Sequence, residues 1–204
     1  MSAAVPSPLV AVYADESCLG NGREGANPGG AGVLVEVLQR DMLVRRDLWV
    51  SEPATTNNRM ALRSVIETFQ ALGRKGRVLR VVFTTDSRYI VDGMTSWVHS
   101  WEKRGWRRRS GDVENLELWH EAVRAVGDQL VEWRWVKGHA GHPQNEYANY
   151  LAMRAAELQN SSGGLVDSAF EEYLKRLQQA GKVIVPDPFP ISAAFRAGPQ
   201  LPRV

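Results

Sequence analysis

Cysteine is almost absent: Cys18 is the single one in 204 residues. No internal disulfide framework can form, and a reducing, intracellular compartment is the expectation. Long apolar runs are missing as well, since no stretch approaches the roughly 18 residues needed to cross a bilayer. Residues 1–8 have neither the basic start nor the apolar run of a secretory signal, so a cytoplasmic location without membrane attachment is expected. Charge of one sign is not in excess either. Twenty-five basic residues face 23 acidic ones, a net charge of +2. Whole-chain electrostatics therefore names no partner, and any case for nucleic acid must rest on local clustering. No internal repeat is evident. What remains is an ordinary globular balance, 44% apolar and 24% charged, with seven tryptophans, more than a small core requires.

Periodicity divides the chain. Residues 9–15 read as a buried strand that ends in a carboxylate, Asp15. Residues 30–39 and 42–50 are apolar, β-branched runs separated by Arg40 and Asp41, which predicts a hairpin. Thr56 or Asn57 can cap a helix reaching Leu72, with Leu62, Ile66 and Phe69 on one face. Residues 78–84 form a strand that ends beside Asp86; a helical pattern then carries Tyr89, Ile90, Met94, Trp97 and Trp101. A helix over 116–126, a strand over 130–136 and a helix over 144–158 follow. The order predicts an α/β domain over residues 9–160, a mixed five-stranded sheet flanked by helices, behind a leader at 1–8. Residues 161–204 form an extension. Small residues at 161–164 predict a flexible linker. Residues 165–178 predict a short helix with Phe170, Tyr173, Leu174 and Leu177 on one face, and the last 20 residues hold five of the ten prolines. So short a helix is marginal alone, so docking is expected, in cis or by exchange of tails within a dimer.

Asp15 and Asp86 each follow an apolar strand, the place where sites gather in open α/β sheets. Paired carboxylates there suit Mg²⁺, a hard cation that takes oxygen ligands; each acid alone is equally at home starting a turn. The surrounding residues carry a resemblance. Asp15-Glu16-Ser17-Cys18-Leu19-Gly20-Asn21, Thr56-Asn57-Asn58-Arg59-Met60, Thr85-Asp86-Ser87, the tryptophan-rich basic stretch 97–106, and Lys137-Gly138-His139-Ala140-Gly141-His142-Pro143 occur in this order. Together they resemble the motifs of type 1 ribonuclease H across residues 9–158.

That resemblance implies the ribonuclease H-like fold and a metal-dependent endonuclease that hydrolyses the RNA strand of RNA–DNA hybrids. The alternative is a catalytically impaired module that binds hybrid or RNA. The family uses four carboxylates and a histidine. Asp15 and Asp86 match two acids and His139 the histidine, but Ala61 stands at the family's glutamate and Asn149 at its last aspartate. Asn149 can still offer a neutral carbonyl oxygen; Ala61 offers nothing. Glu16, where the family has glycine, is a candidate replacement, although adjacent strand residues point to opposite faces. The expected metal set is Asp15, Glu16, Asp86 and Asn149, with Mg²⁺ as cofactor and Mn²⁺ as substitute. Glu146 is expected to bond near the site and His142 to pack at the helix start.

Five of the seven residues 103–109 are basic: Lys103, Arg104, Arg107, Arg108 and Arg109, with Trp106 among them. Basic residues interleaved with aromatic ones suit phosphate contact, and Trp97 and Trp101 extend the pattern. By resemblance this is the handle that grips the DNA strand. Asn21, Thr56, Asn57 and Asn58 can bond a sugar hydroxyl or a phosphate oxygen, and Cys18 is placed near the RNA contact. The longer loop at 22–27 falls where the RNA strand would pass.

Overall fold

The computed structural model describes residues 7–20, 27–73, 76–182 and 184–204; Asn21 and loop residues 22–26 lie outside them. Alternating apolar runs build an antiparallel meander of β1 (Leu9–Cys18), β2 (Gly29–Gln39) and β3 (Met42–Glu52). Arg40 and Asp41 take φ of 49° and 65°, the mirror-image turn that matches the twist of its strands. Helix α1 (Asn57–Gly73) starts where the Thr56 hydroxyl accepts from the Arg59 amide, and it leads into β4 (Arg80–Thr85). A continuous helical stretch follows: α2 (Arg88–Asp92), a π turn (Gly93–Trp97) and α3 (Val98–Glu102). Gly93 lets the Trp119 ring lie against the backbone there, for a Cβ would come within 2.0 Å of it. A two-residue ribbon, β5 (Arg107–Arg108) with β6 (Gly111–Asp112), precedes α4 (Leu116–Val126), β7 (Leu130–Trp135) and α5 (Pro143–Leu158).

The five expected strands form the sheet, and the C-terminal extension adds a sixth, β8 (Val166–Asp167), to give the order β7-β4-β1-β2-β3-β8. Two apolar layers cover it. Val10, Val12 and Ala14 of β1 pack with α1, α4 and Trp101; Ala11 and Tyr13 face α5 and α6 (Phe170–Gln179). On that second face α5 lies directly on β2, because Gly30 and Gly32 offer no side chain. A Cβ at either would sit 2.2 Å from a helix carbonyl, that of Ala152 or Ala148.

The stretch 161–164, expected to be a flexible linker, is instead bound to the β3 edge. Ser162 N donates to Trp49 O (3.0 Å), Trp49 N to the Ser162 hydroxyl (3.1 Å) and Ser51 N to the Ser161 hydroxyl (3.2 Å). The serines that make the segment look flexible supply hydrogen bonds to an otherwise open strand. Helix α6 docks in cis, with Phe170 and Leu174 buried against Ala11, Tyr13, Leu34, Tyr147 and Leu151. The proline-rich segment then crosses to the far edge, where Gly198 N donates to Val131 O at 2.8 Å. Phe170 is fully buried, so Phe170→Ala is expected to cost about 3–5 kcal/mol of stability. Equilibrium urea unfolding measures this, and a loss below about 1 kcal/mol would contradict the docking.

Candidate active site

β1 and β4 run parallel from the Leu9–Arg80 pair to the Ala14–Thr85 pair, and there they part. Asp15 and Glu16 continue along β1 beside β2, while Asp86 leaves β4 toward α2. Around this opening the carboxylate oxygens of Asp15, Glu16 and Asp86 all lie within 4.8 Å of one another. Strand alternation argues against adjacent residues meeting. Here the three carboxylates nevertheless converge beyond the end of β4, with Ser87 close to Glu16. Asp15 is 6% exposed; its Oδ1 accepts from the Glu16 amide (2.7 Å) and its Oδ2 from Asn145 Nδ2 (3.1 Å).

Burial and crowding govern the protons here. Burial, then repulsion from Asp86, pushes Asp15 up to about 8 against the pull of its two hydrogen bonds. Burial holds Glu16 well above the usual carboxylate range, with Asp15 and Asp86 adding to the effect. Asp86 is also raised by burial and by Glu146, and eased downward by His139. All available donors are oxygens, and Asn145 adds a buried Oδ1 without a hydrogen-bond partner among the described residues. That is the chemistry of a hard-cation site.

The loop before α5 closes the opening. Gly138 rests on the Asp86 carboxylate, where a Cβ would lie 2.2 Å from Oδ2. His139 next to it takes φ 52°, is 77% exposed at its side chain, and holds Nδ1 3.7 Å from Glu146 Oε2. Asn149 is half-buried on α5, one turn beyond Asn145 and thus on the same helix face. Ala61 is fully buried in the apolar core. Sequence reading missed Asn145 and Trp135, whose Nε1 donates to Asp86 O at 3.0 Å, and placed Ser87 only within the Thr85-Asp86-Ser87 motif. Asn145 left a signal, its spacing of four from Asn149. Trp135 left none beyond its place at a strand end.

The basic run occupies the turn after α3 and the small ribbon. Lys103, Arg104, Arg107 and Arg109 are exposed, whereas Arg108 pairs with Glu114 at 3.1 Å. Trp101 lies at the edge of the apolar core beneath this run. It is 7% exposed, packs on Trp97 and Trp119 with ring centroids 5.9 and 5.4 Å apart, and with its remaining surface lines an open groove beside Trp97 and Arg108. Trp106 is half-buried, edge-on to His120 at 4.3 Å. Thr56 and Asn58 are exposed at the start of α1, Asn57 is half-buried between them, and Asn21 lies outside the described residues. Burial, with Glu16 and Glu52 nearby, pushes the half-buried Cys18 thiol up to about 11, so it is no nucleophile near neutral pH.

Residues 7–157 match the family described as RNase H. The chain is 45% identical over 152 residues to a Ribonuclease H of Erythrobacter litoralis, covering 74% of this chain and 98% of that protein. It is 40% identical over 148 residues to the Ribonuclease H of Photorhabdus laumondii, covering 72% and 88%. In structure it is similar to LC9-RNase H1, described as a type 1 RNase H with the type 2 active-site motif. The TM-score is 0.92 at 67% identity, over 99% of this chain and 97% of that one. The foamy-virus RNase H domain, at 16% identity and a TM-score of 0.61, shares the fold, over 75% of this chain and 97% of that one.

The raised carboxyls set a pH dependence. Asp15 titrates near 8 in the fold against 3.8 for an unperturbed aspartate, so between those values the folded chain holds a proton that the unfolded chain has released. Stability must fall as pH rises through that window. In metal-free protein the melting temperature is expected to decline from about pH 5 to about pH 8, with Asp15→Asn flattening the decline. A parental profile in that variant would show that Asp15 is not held protonated.

Proposed function

The chain belongs to the ribonuclease H family, and on that premise we propose that it hydrolyses the RNA strand of RNA–DNA hybrids at the Asp15–Glu16–Asp86 cluster, with Mg²⁺ as cofactor. The observation that carries this reading is the convergence of three carboxylates within 4.8 Å where β1 and β4 separate. The donors fit a hard divalent cation. They are oxygens throughout, and the repulsion that raises their protonation is what a cation relieves. Bound there, such an ion supplies an acidified water and charge stabilisation at the scissile phosphate.

The chain's own residues have separable tasks. Asp15, Glu16 and Asp86 hold the cation, and Glu16 takes over from the glutamate that Ala61 replaces. A departure from the type 1 active-site motif is described for LC9-RNase H1, which is 67% identical, and this supports the reassignment. Asn149 adds a neutral carbonyl oxygen. Asn145 orients Asp15 through its 3.1 Å hydrogen bond. His139, exposed on a glycine-flanked loop, moves a proton at its imidazole ring. Lys103, Arg104, Arg107 and Arg109 meet the phosphates of the DNA strand, and Thr56, Asn57 and Asn58 meet the RNA strand at α1.

Purified protein is expected to cleave a labelled hybrid in Mg²⁺. Asp15→Asn, Asp86→Asn and Glu16→Gln should each lower kcat by at least about a hundredfold. A Glu16→Gln variant with the parental rate would remove Glu16 from the metal set. His139→Ala is expected to lower kcat by about a hundredfold at unchanged KM. Replacing Arg107 and Arg109 by Ala should reduce the log–log salt slope of hybrid binding by roughly 1.8, two phosphate contacts' worth. An unchanged slope would make the run a solvated surface.

A further inference from the structure

The loop that carries His139 is tethered at both ends, and the two tethers come from different parts of the chain. At its start Val136 N donates to Thr85 O (3.0 Å), Trp135 Nε1 to Asp86 O (3.0 Å), and Gly138 rests on the Asp86 carboxylate. Those contacts belong to the strand ends. At its finish the partner is the C-terminal extension. His142 Nδ1 donates to Asp187 Oδ2 at 3.2 Å. The next polar side chain, Gln144, is fully buried and grips the Asp187 backbone from both sides: its Nε2 donates to Asp187 O (2.8 Å) and its Oε1 accepts from Asp187 N (3.0 Å).

Between these tethers the chain is built to bend. His139 and Gly141 take φ of 52° and 83°, and the His139 side chain is 77% exposed. Its nearest charged partner among the described residues, Glu146 at 3.7 Å, sits on α5 and does not fix the loop backbone. Asp187 itself is held in place. Ile184 and Phe189 on either side of it pack onto the apolar cluster beneath α5 and α6. The family match ends at residue 157, so this tether lies outside the shared domain.

We propose that Asp187 is a positioning residue for the reaction, fixing through His142 the loop that presents His139 to the substrate. The C-terminal extension thereby takes part in turnover without touching the hybrid. The proposal rests on the hydrolytic reading of the site given above.

Asp187→Ala removes the carboxylate and leaves the two backbone bonds to Gln144 available. It is expected to lower kcat for hybrid cleavage roughly tenfold with KM unchanged, the signature of a displaced catalytic group. Asp187→Asn, whose side-chain oxygen still accepts from His142 Nδ1, should recover most of the loss. His142→Ala should reproduce the loss from the other side, and the pair of substitutions should cost no more than either alone. In a His139→Ala background, Asp187→Ala should have no further effect on kcat. An equal loss in both backgrounds, or parental kcat in Asp187→Ala, would overturn the proposal. Amide exchange over residues 137–142 gives a readout independent of activity and is expected to accelerate in Asp187→Ala. Unchanged exchange would likewise overturn it. Absence of cleavage by the parent protein would instead strike the hydrolytic reading, and the exchange result would still decide whether Asp187 holds the loop.

Discussion

How near α5 can come to β2 sets the geometry of the site. Gly30 and Gly32 leave the strand bare on one face, and the helix answers with Ala148, Ala152 and Ala155, so that carbonyls of the helix rest on strand backbone. Asp15 is paired with Gly32 in the adjacent strand, and Ala148 O lies against that same glycine. The first turn of α5 is thereby brought over Asp15, and Asn145 reaches its carboxylate. A methyl group at either glycine would have to push the helix away by well over an ångström, beyond what a 3.1 Å hydrogen bond tolerates.

The same helix also sits over a row of buried acids on neighbouring strands, and they do different work. Glu36 on β2 meets Arg45 of β3 at 2.7 Å, and Arg45 also pairs with Glu171 of α6. Asp47 on β3 accepts from the Tyr147 hydroxyl (2.6 Å) and from the Ala169 amide (3.0 Å). These two carboxylates fasten α5 and α6 to the sheet. Asp15 is surrounded mainly by other acids, so its burial is not offset by a cation of the protein. Buried carboxyls fasten helices on one side of the fold and gather together at the strand ends.

Local patterns made much of this legible. The hairpin at Arg40-Asp41, the helices at 116–126 and 144–158 and the two acids at strand ends all follow from periodicity and turn chemistry, which act over a few residues. What was not legible depends on distant partners. Strand alternation set Glu16 against Asp15, whereas in the fold both carboxylates meet Asp86 just beyond the distant strand β4. Composition made 161–164 look flexible because its partner, the β3 edge, is more than a hundred residues away. The close approach of Trp119 to Gly93 beneath the tryptophan-rich stretch likewise depends on a residue more than twenty positions away. Asn145 was hidden behind its neighbour Asn149, the position at which the resemblance had fixed attention.

Edge strands are where one sheet can recruit another, since their unpaired amides and carbonyls template foreign strands. In this fold a single segment closes both sides: β8 and the serines lie along β3, and Gly198 reaches Val131 on β7. Parts of both edges are therefore occupied by covalently attached chain. β3 is eleven residues long, and stripped of that cover it would be a long open template despite Arg45 and Arg46. A chain lacking the extension would expose more of that edge, and strand-mediated association is then the expected hazard, separate from whether its carboxylates still meet.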